Sequence, residues 1–257
     1  MSGACALRSI PPLQLSGCWQ MAIDEWLLDR AVASASDPAS ATPAAVLRFY
    51  TWSRPTLSVG FHQRRLQPRW LELARRGDLT LVRRPSGGQA VLHAEDLTYA
   101  LVWPQAPARR REAYRAACAW LQEGFADLGL PLRFGADPPD SLDSSCFARS
   151  TAADLVHPDG VKRIGSAQLW RRGVLLQHGT ILLSPDAALW RRVLADDPPP
   201  LAPLTLSPAQ LIGVLQNAAA RHLPLASADW SPAPLTPQEW SAIAVRRARY
   251  RINPSEV

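Results

Sequence analysis

Between Val161 and Leu183 the chain carries two extended stretches around a short basic turn. The first is Val161-Lys162-Arg163-Ile164-Gly165-Ser166-Ala167-Gln168, and the second is Val174-Leu175-Leu176-Gln177-His178-Gly179-Thr180-Ile181-Leu182-Leu183. Lys162 is the only lysine in 257 residues; the other 27 of the 28 Lys and Arg residues are arginines. Arginine stays charged and presents a rigid fork, whereas a lysine ammonium is a compact point charge that can lose its proton when desolvated. A composition that avoids lysine elsewhere and keeps one here points to lysine chemistry at position 162. The plain alternative is a chance survivor beside a turn, and the surrounding motif weighs against it.

A second chemistry-bearing block reads Arg83-Arg84-Pro85-Ser86-Gly87-Gly88-Gln89-Ala90-Val91-Leu92-His93. Adjacent glycines let the backbone approach a ligand closely, and their amides with the flanking arginines can hold an anionic or polar group. Taken alone, a Ser-Gly-Gly turn is more often a hairpin than a site. His93 as a metal ligand is set aside: the chain has five histidines and shows no paired carboxylate spacing, so a structural or substrate-contacting role is expected and no metal site.

The remaining pattern places these blocks on regular elements. Trp19, Ala22, Ile23, Trp26, Leu27 and Ala31 recur at helical spacing, which predicts an amphipathic helix with Asp24, Glu25 and Asp29 on its polar side. Val46 to Tyr50 is rich in strand formers; Trp52-Ser53-Arg54-Pro55 breaks that strand, and Thr56 to Gly60 resumes the sheet. Pro68 and Gly77 bracket a short helix, and Leu79 to Arg84 follows as a strand. Ala94-Glu95-Asp96 turns into an apolar strand, Leu97 to Trp103. A helix runs from Arg110 to Gly129 with Cys118 on its packed face. Pro131 to Asp143 reads as a loop, and Thr151–His157 and Val161–Ser166 as two strands joined by Pro158-Asp159-Gly160. Ser184-Pro185 is expected to cap a helix through Leu189, Trp190 and Val193. Ser207…Gln210 and Thr236…Glu239 are capping boxes with proline at the first helical position, so two helices end the chain.

Cys146 follows the polar loop and lies one hairpin upstream of Lys162. A free cysteine is usually a small buried hydrophobe, and that reading stands beside the alternative of a nucleophile. The four cysteines are scattered, with no C-x-x-C pair, so neither a disulfide framework nor a structural zinc site is expected. Met1 to Pro12 holds no apolar run of signal-peptide length and no stretch is long enough to span a membrane, so the expectation is a cytosolic chain with free thiols and no membrane partner. The net charge of +6 raises the question of nucleic acid, but the arginines are scattered pairs and one triplet without interleaved aromatics. Acidic protein partners suit that charge better.

Together these blocks resemble the lipoate and biotin protein ligase superfamily. The lysine block resembles its K-x-x-G-S-A-Q followed by L-Q-H-G-[ST]-I-L, and Arg83 to His93 resembles its R-R-x-[ST]-G-G-x-A-V-x-H loop. Met21 to Glu25, Leu47 to Gln63 and Leu97 to Trp103 resemble further family segments in order. The resemblance implies an α/β (α+β) fold, a central mixed, largely antiparallel sheet flanked by helices. Residues 1–200 would form the catalytic domain and 201–257 a short helical segment packed on it.

The resemblance also implies roles. Arg83, Arg84, Ser86, Gly87, Gly88, Ala90 and His93, with Gly165, Ser166, Ala167, Gln168, His178 and Gly179, would bind substrate. His178 would position a backbone or substrate carbonyl, and Lys162 would contact the acyl carbonyl. Lipoate ligases usually have a third glycine where this chain has Gln89, and acyltransferase relatives carry a larger residue there. In the octanoyltransferase branch a Cys-Phe pair upstream of the lysine bears the acyl-accepting nucleophile, which maps onto Cys146-Phe147. That branch implies octanoyl transfer from an acyl carrier protein to a lipoyl domain (glycine cleavage H protein or 2-oxoacid dehydrogenase E2) without cofactor. The ligase alternative would need ATP and Mg²⁺.

Overall fold

The computed structural model describes residues 7–37, 44–135, 154–223 and 230–256. In chain order it contains β1 (Leu7–Leu15), α1 (Gly17–Ala35), β2 (Ala45–Trp52), β3 (Thr56–Val59), α2 (Pro68–Arg75), β4 (Thr80–Arg83), β5 (Val91–His93), β6 (Asp96–Trp103), α3 (Arg110–Asp127) and β7 (Arg133–Phe134). There follow β8 (Leu155–Val156), β9 (Lys162–Arg171), β10 (Val174–Leu182), α4 (Ala187–Leu194), α5 (Pro208–His222), β11 (Trp230–Pro232) and α6 (Pro237–Ala244).

Eight strands form one mixed sheet in the order β11-β1-β2-β6-β10-β9-β8-β7. β1 runs parallel to β2 and to β11, and the other pairings are antiparallel. The central strands β2, β6 and β10 are buried almost throughout because both faces of the sheet are covered. On one face Leu47, Phe49, Tyr99, Leu101 and Leu175 pack against Trp120, Leu121 and Phe125 of α3 and Leu211 and Leu215 of α5. On the other, Val46, Tyr50, Ala100, Val102 and Leu176 pack against Met21, Ile23, Trp26 and Leu27 of α1.

Several expectations change. β3 does not resume the large sheet: it pairs with β4 and β5 in a separate three-stranded sheet, packed with α2 and α4 around Leu57, Trp70, Leu81 and Trp190. The break at Trp52 to Pro55 therefore redirects the chain into a second layer. β1 is a strand despite Pro11 and Pro12, because its register shifts between Ile10 and Leu13 and the missing donors fall at that irregularity. Helix α4 is capped by Asp186, whose side chain accepts from the amides of Ala188 and Leu189, and not by Ser184. Both predicted capping boxes form as read. No described helix is long and apolar enough to cross a membrane.

Candidate functional site

The site begins with the hairpin of β9 and β10. Its turn places Arg172 and Gly173 at positive φ, and the register aligns Gly165 with Thr180, Ser166 with Gly179 and Ala167 with His178. The two motif halves are thereby brought side by side. A Cβ on Gly179 would sit 2.5 Å from the Tyr99 ring and 2.6 Å from Ser166 Oγ, so the close approach of β10 to its neighbours requires glycine.

Facing this hairpin is the Ser86–Gly88 loop. Arg84 holds its shape, donating from Nε and Nη2 to Gly87 O (3.1 and 2.6 Å), from Nη2 to Gln89 O (2.8 Å) and from Nη1 to Ser58 O (2.9 Å). Arg83 donates to Gly60 O (2.9 Å) and Gln63 O (2.8 Å). Both guanidiniums thus brace backbone carbonyls of the turns around the loop. Gly88 takes φ +93°, where only glycine is unstrained.

Between loop and hairpin lies a largely apolar slot with about 440 Å³ free of atoms. Its lining includes Met21, Tyr50, Trp52, Ser58, Val91 and Thr98. Among the expected residues, Arg84, Gly88, His93, Gly165, Ser166, Ala167, His178 and Gly179 also line it. Arg83, Gly87 and Gln168 line a neighbouring groove, Ala90 is buried in the core of the small sheet, and Ser86 stands behind His178. Gln168 Nε2 donates to Gln177 Oε1 at 2.8 Å, orienting Gln177 toward Tyr99 OH, also 2.8 Å away.

Two buried Ser-His-Asp chains border the slot. In the first, His178 Nδ1 lies 2.9 Å from Asp24 Oδ2 and its Nε2 lies 2.5 Å from Ser86 Oγ. An ionised carboxylate only accepts, so Nδ1 carries the proton and Nε2 accepts from the serine hydroxyl. In the second, His93 Nδ1 lies 2.9 Å from Asp96 Oδ2 and Nε2 lies 2.8 Å from Ser58 Oγ, while the His93 ring stacks on Trp52 at 3.8 Å. Burial lowers the His93 pKa, against the opposing pull of Asp96.

Asp24 is thus not on a polar helix face. It is fully buried, held by Arg48 Nη1 at 3.0 Å on one oxygen and by Tyr50 OH at 2.9 Å on the other. Burial and Asp24 keep Tyr50 protonated by raising its pKa well above the usual value. The signal was present in Arg48, a charge inside a strand-forming run, which demanded a buried acidic partner.

Lys162 Nζ lies 3.0 Å from Asp154 Oδ2, both side chains 4% exposed. Asp154 had not been singled out. Lys162 is absent from the described lining of the slot. Cys146 lies outside the described residues. Cys118 is buried on α3 as expected; burial pushes its thiol up to about 12. Among the described residues no cluster of His, Cys, Asp or Glu is arranged to hold a metal ion.

The family model for the lipoyl protein ligase A/B catalytic domain matches residues 17–203. The chain belongs to that family. It is 37% identical over 183 residues to the octanoyltransferase LipM of Lysinibacillus sphaericus, an alignment that covers 66% of this chain and 63% of that one. With the octanoyltransferase LipM of Geobacillus kaustophilus it shares 38% over 183 residues, covering 66% and 63%. The chain thus spans a little under two thirds of the length of these relatives. Among solved structures, lipoate-protein ligase A bound with ATP superimposes with a TM-score of 0.73 at 19% identity, covering 95% of this chain and 94% of that one. A bipartite lipoate protein ligase from Thermoplasma acidophilum gives 0.70 at 19%, covering 95% and 92%. At that identity the family members share the fold, a mixed sheet flanked by helices.

Proposed function

We propose that this chain is a protein acyltransferase that moves an octanoyl group from an acyl carrier protein, through a thioester on Cys146, to a lysine of a lipoyl domain such as glycine cleavage H protein or a 2-oxoacid dehydrogenase E2. The observation that carries the reading is the 37–38% identity to octanoyltransferases over 183 residues. The slot suits a short alkyl chain, since its walls are largely apolar and the glycine loop closes over it.

In the first step the Cys146 thiolate attacks the donor thioester carbonyl, and the carrier thiol leaves. In the second the acceptor lysine amine attacks the enzyme thioester, giving an amide and returning Cys146 as the thiol after proton transfer. Lys162, held by Asp154, is the ammonium assigned to lower the thiol pKa and to donate to the developing oxyanion. The thioester supplies the driving force, so the reaction asks for neither ATP nor Mg²⁺. The remaining named slot residues bind the acyl group, and the two histidine chains position the walls. Residues 1–200 would form the catalytic domain of a cytosolic protein, with 201–257 packed on it. The packing of α5 on α3 and the pairing of β11 with β1 support that arrangement.

Intact-protein mass after mixing with octanoyl-acyl carrier protein, without ATP, tests the reading. An octanoyl adduct that is lost with Cys146→Ala and passes to a lipoyl domain is expected. Modification of a lipoyl domain only from free lipoate and ATP, with no adduct, would replace it by a ligase.

A further inference from the structure

On the outer side of the Gly87–Gly88 loop, the slot adjoins a second depression. Arg84 borders both spaces, and the loop supplies Gly88 to one and Gly87 to the other. This groove holds about 1320 Å³ free of atoms, and its charged lining is Arg83, Arg84, Arg110, Arg171 and Arg249 against the single carboxylate of Glu25. Glu25 is already engaged, 2.6 Å from Arg171 and 2.6 Å from Arg249. Arg110 is exposed and has no acidic partner among the described residues, and Arg83 donates only to carbonyl oxygens. Burial lowers the Arg83 pKa, and the neighbouring Arg64 lowers it further. Arg110 opens α3, whose N-cap residue Arg109 offers no side-chain acceptor, so the helix end adds to the same field. Phe61 on the rim is one of two large hydrophobic side chains left exposed among the described residues, at 47%.

We infer that this groove receives the non-acyl part of the donor: a phosphodiester-bearing thioester arm on an acidic carrier protein. The inference rests on the acyltransferase reading above. The groove adjoins the slot across the glycine loop, and its five arginines favour an anionic arm. The same field repels an approaching lysine ammonium, so the acceptor enters by another face. Phe61 supplies an apolar contact for the carrier at the rim.

The test is binding, which does not depend on turnover. Holo-acyl carrier protein, the same carrier lacking its phosphopantetheine arm, and a lipoyl domain are each titrated against the wild-type chain and Arg110→Glu, with Arg110→Lys as the charge-conserving control. The wild type should bind the holo carrier most tightly and lose affinity with rising salt. Arg110→Glu should weaken holo-carrier binding by about tenfold and flatten its salt dependence, and Arg110→Lys should restore most of it. Equal affinity of all three chains for the holo carrier would overturn the inference. So would a loss confined to the lipoyl domain, which would give the groove to the acceptor. The mass experiment stands apart: holo-carrier binding without any octanoyl adduct would sink the acyltransferase reading and leave the docking result in place.

Discussion

Ser86 Oγ lies 2.5 Å from His178 Nε2, and this hydrogen bond joins the glycine loop to the middle of the large sheet. Behind it, Asp24 fixes the imidazole through Nδ1, and Arg48 and Tyr50 fix Asp24. The loop that closes the slot is therefore tied to a buried charge network that begins on α1.

Removing the hydroxyl tests that tie. Ser86→Ala leaves His178 Nε2 buried without its donor and should cost about 1–3 kcal/mol in urea denaturation. Exchange of the Phe61 amide, which donates to Ser86 O at 2.9 Å, should accelerate as the loop loosens. Unchanged protection at Phe61 would mean that Arg84 alone holds the loop.

Arg48→Met strands the Asp24 carboxylate in the core. Breaking a buried ion pair from one side costs about 3–5 kcal/mol, so the variant should lose a comparable amount of unfolding free energy. A loss below about 1 kcal/mol would show that Tyr50 and His178 satisfy Asp24 by themselves.

Lys162→Ala removes chemistry and an ion pair together, so Lys162→Arg is the informative variant. It retains positive charge beside Asp154 but replaces a point charge with a planar fork. Octanoyl transfer should fall by at least about 100-fold, the scale of losing one oxyanion donor, while the melting temperature drops less than in Lys162→Ala. Near wild-type transfer by Lys162→Arg would remove the lysine from the mechanism.

Cys118, with its pKa at about 12, is a poor nucleophile. At about pH 8 its thiolate fraction is roughly one in ten thousand, so iodoacetamide should leave it unmodified until the chain is denatured. Peptide mapping that finds Cys118 alkylated in the native protein would reopen the identity of the acyl-accepting thiol.

His93 makes stability depend on pH. Its folded pKa lies below the value near 6.5 of an unfolded histidine because burial disfavours the imidazolium. As pH falls through that window the unfolded chain takes up the proton more readily, so the contribution is full above about pH 6.5 and is lost toward the lower folded pKa. Urea midpoints measured from about pH 7.5 down to about pH 5.5 should fall for the wild type and fall less for His93→Gln. Parallel slopes would assign the effect to other groups.

Much of the frame was legible locally. The α1 periodicity, the capping boxes at Ser207 and Thr236, the Arg172-Gly173 hairpin and the order of the motif blocks all depend on short-range backbone chemistry, which neighbouring residues carry. The sequence by itself thus placed the family and most of the regular elements, while Met21, Tyr50, Trp52, Ser58, Val91 and Thr98 joined the slot only through the fold. It did not reveal that β3 leaves the large sheet, that β1 survives two prolines, or that Asp24 points inward. Those outcomes depend on partners far along the chain: Asp24 is buried because Arg48, Tyr50 and His178 converge on it from two strands. A carboxylate on an amphipathic helix reads as solvent-facing until folding supplies a buried countercharge, and only tertiary contact can supply one.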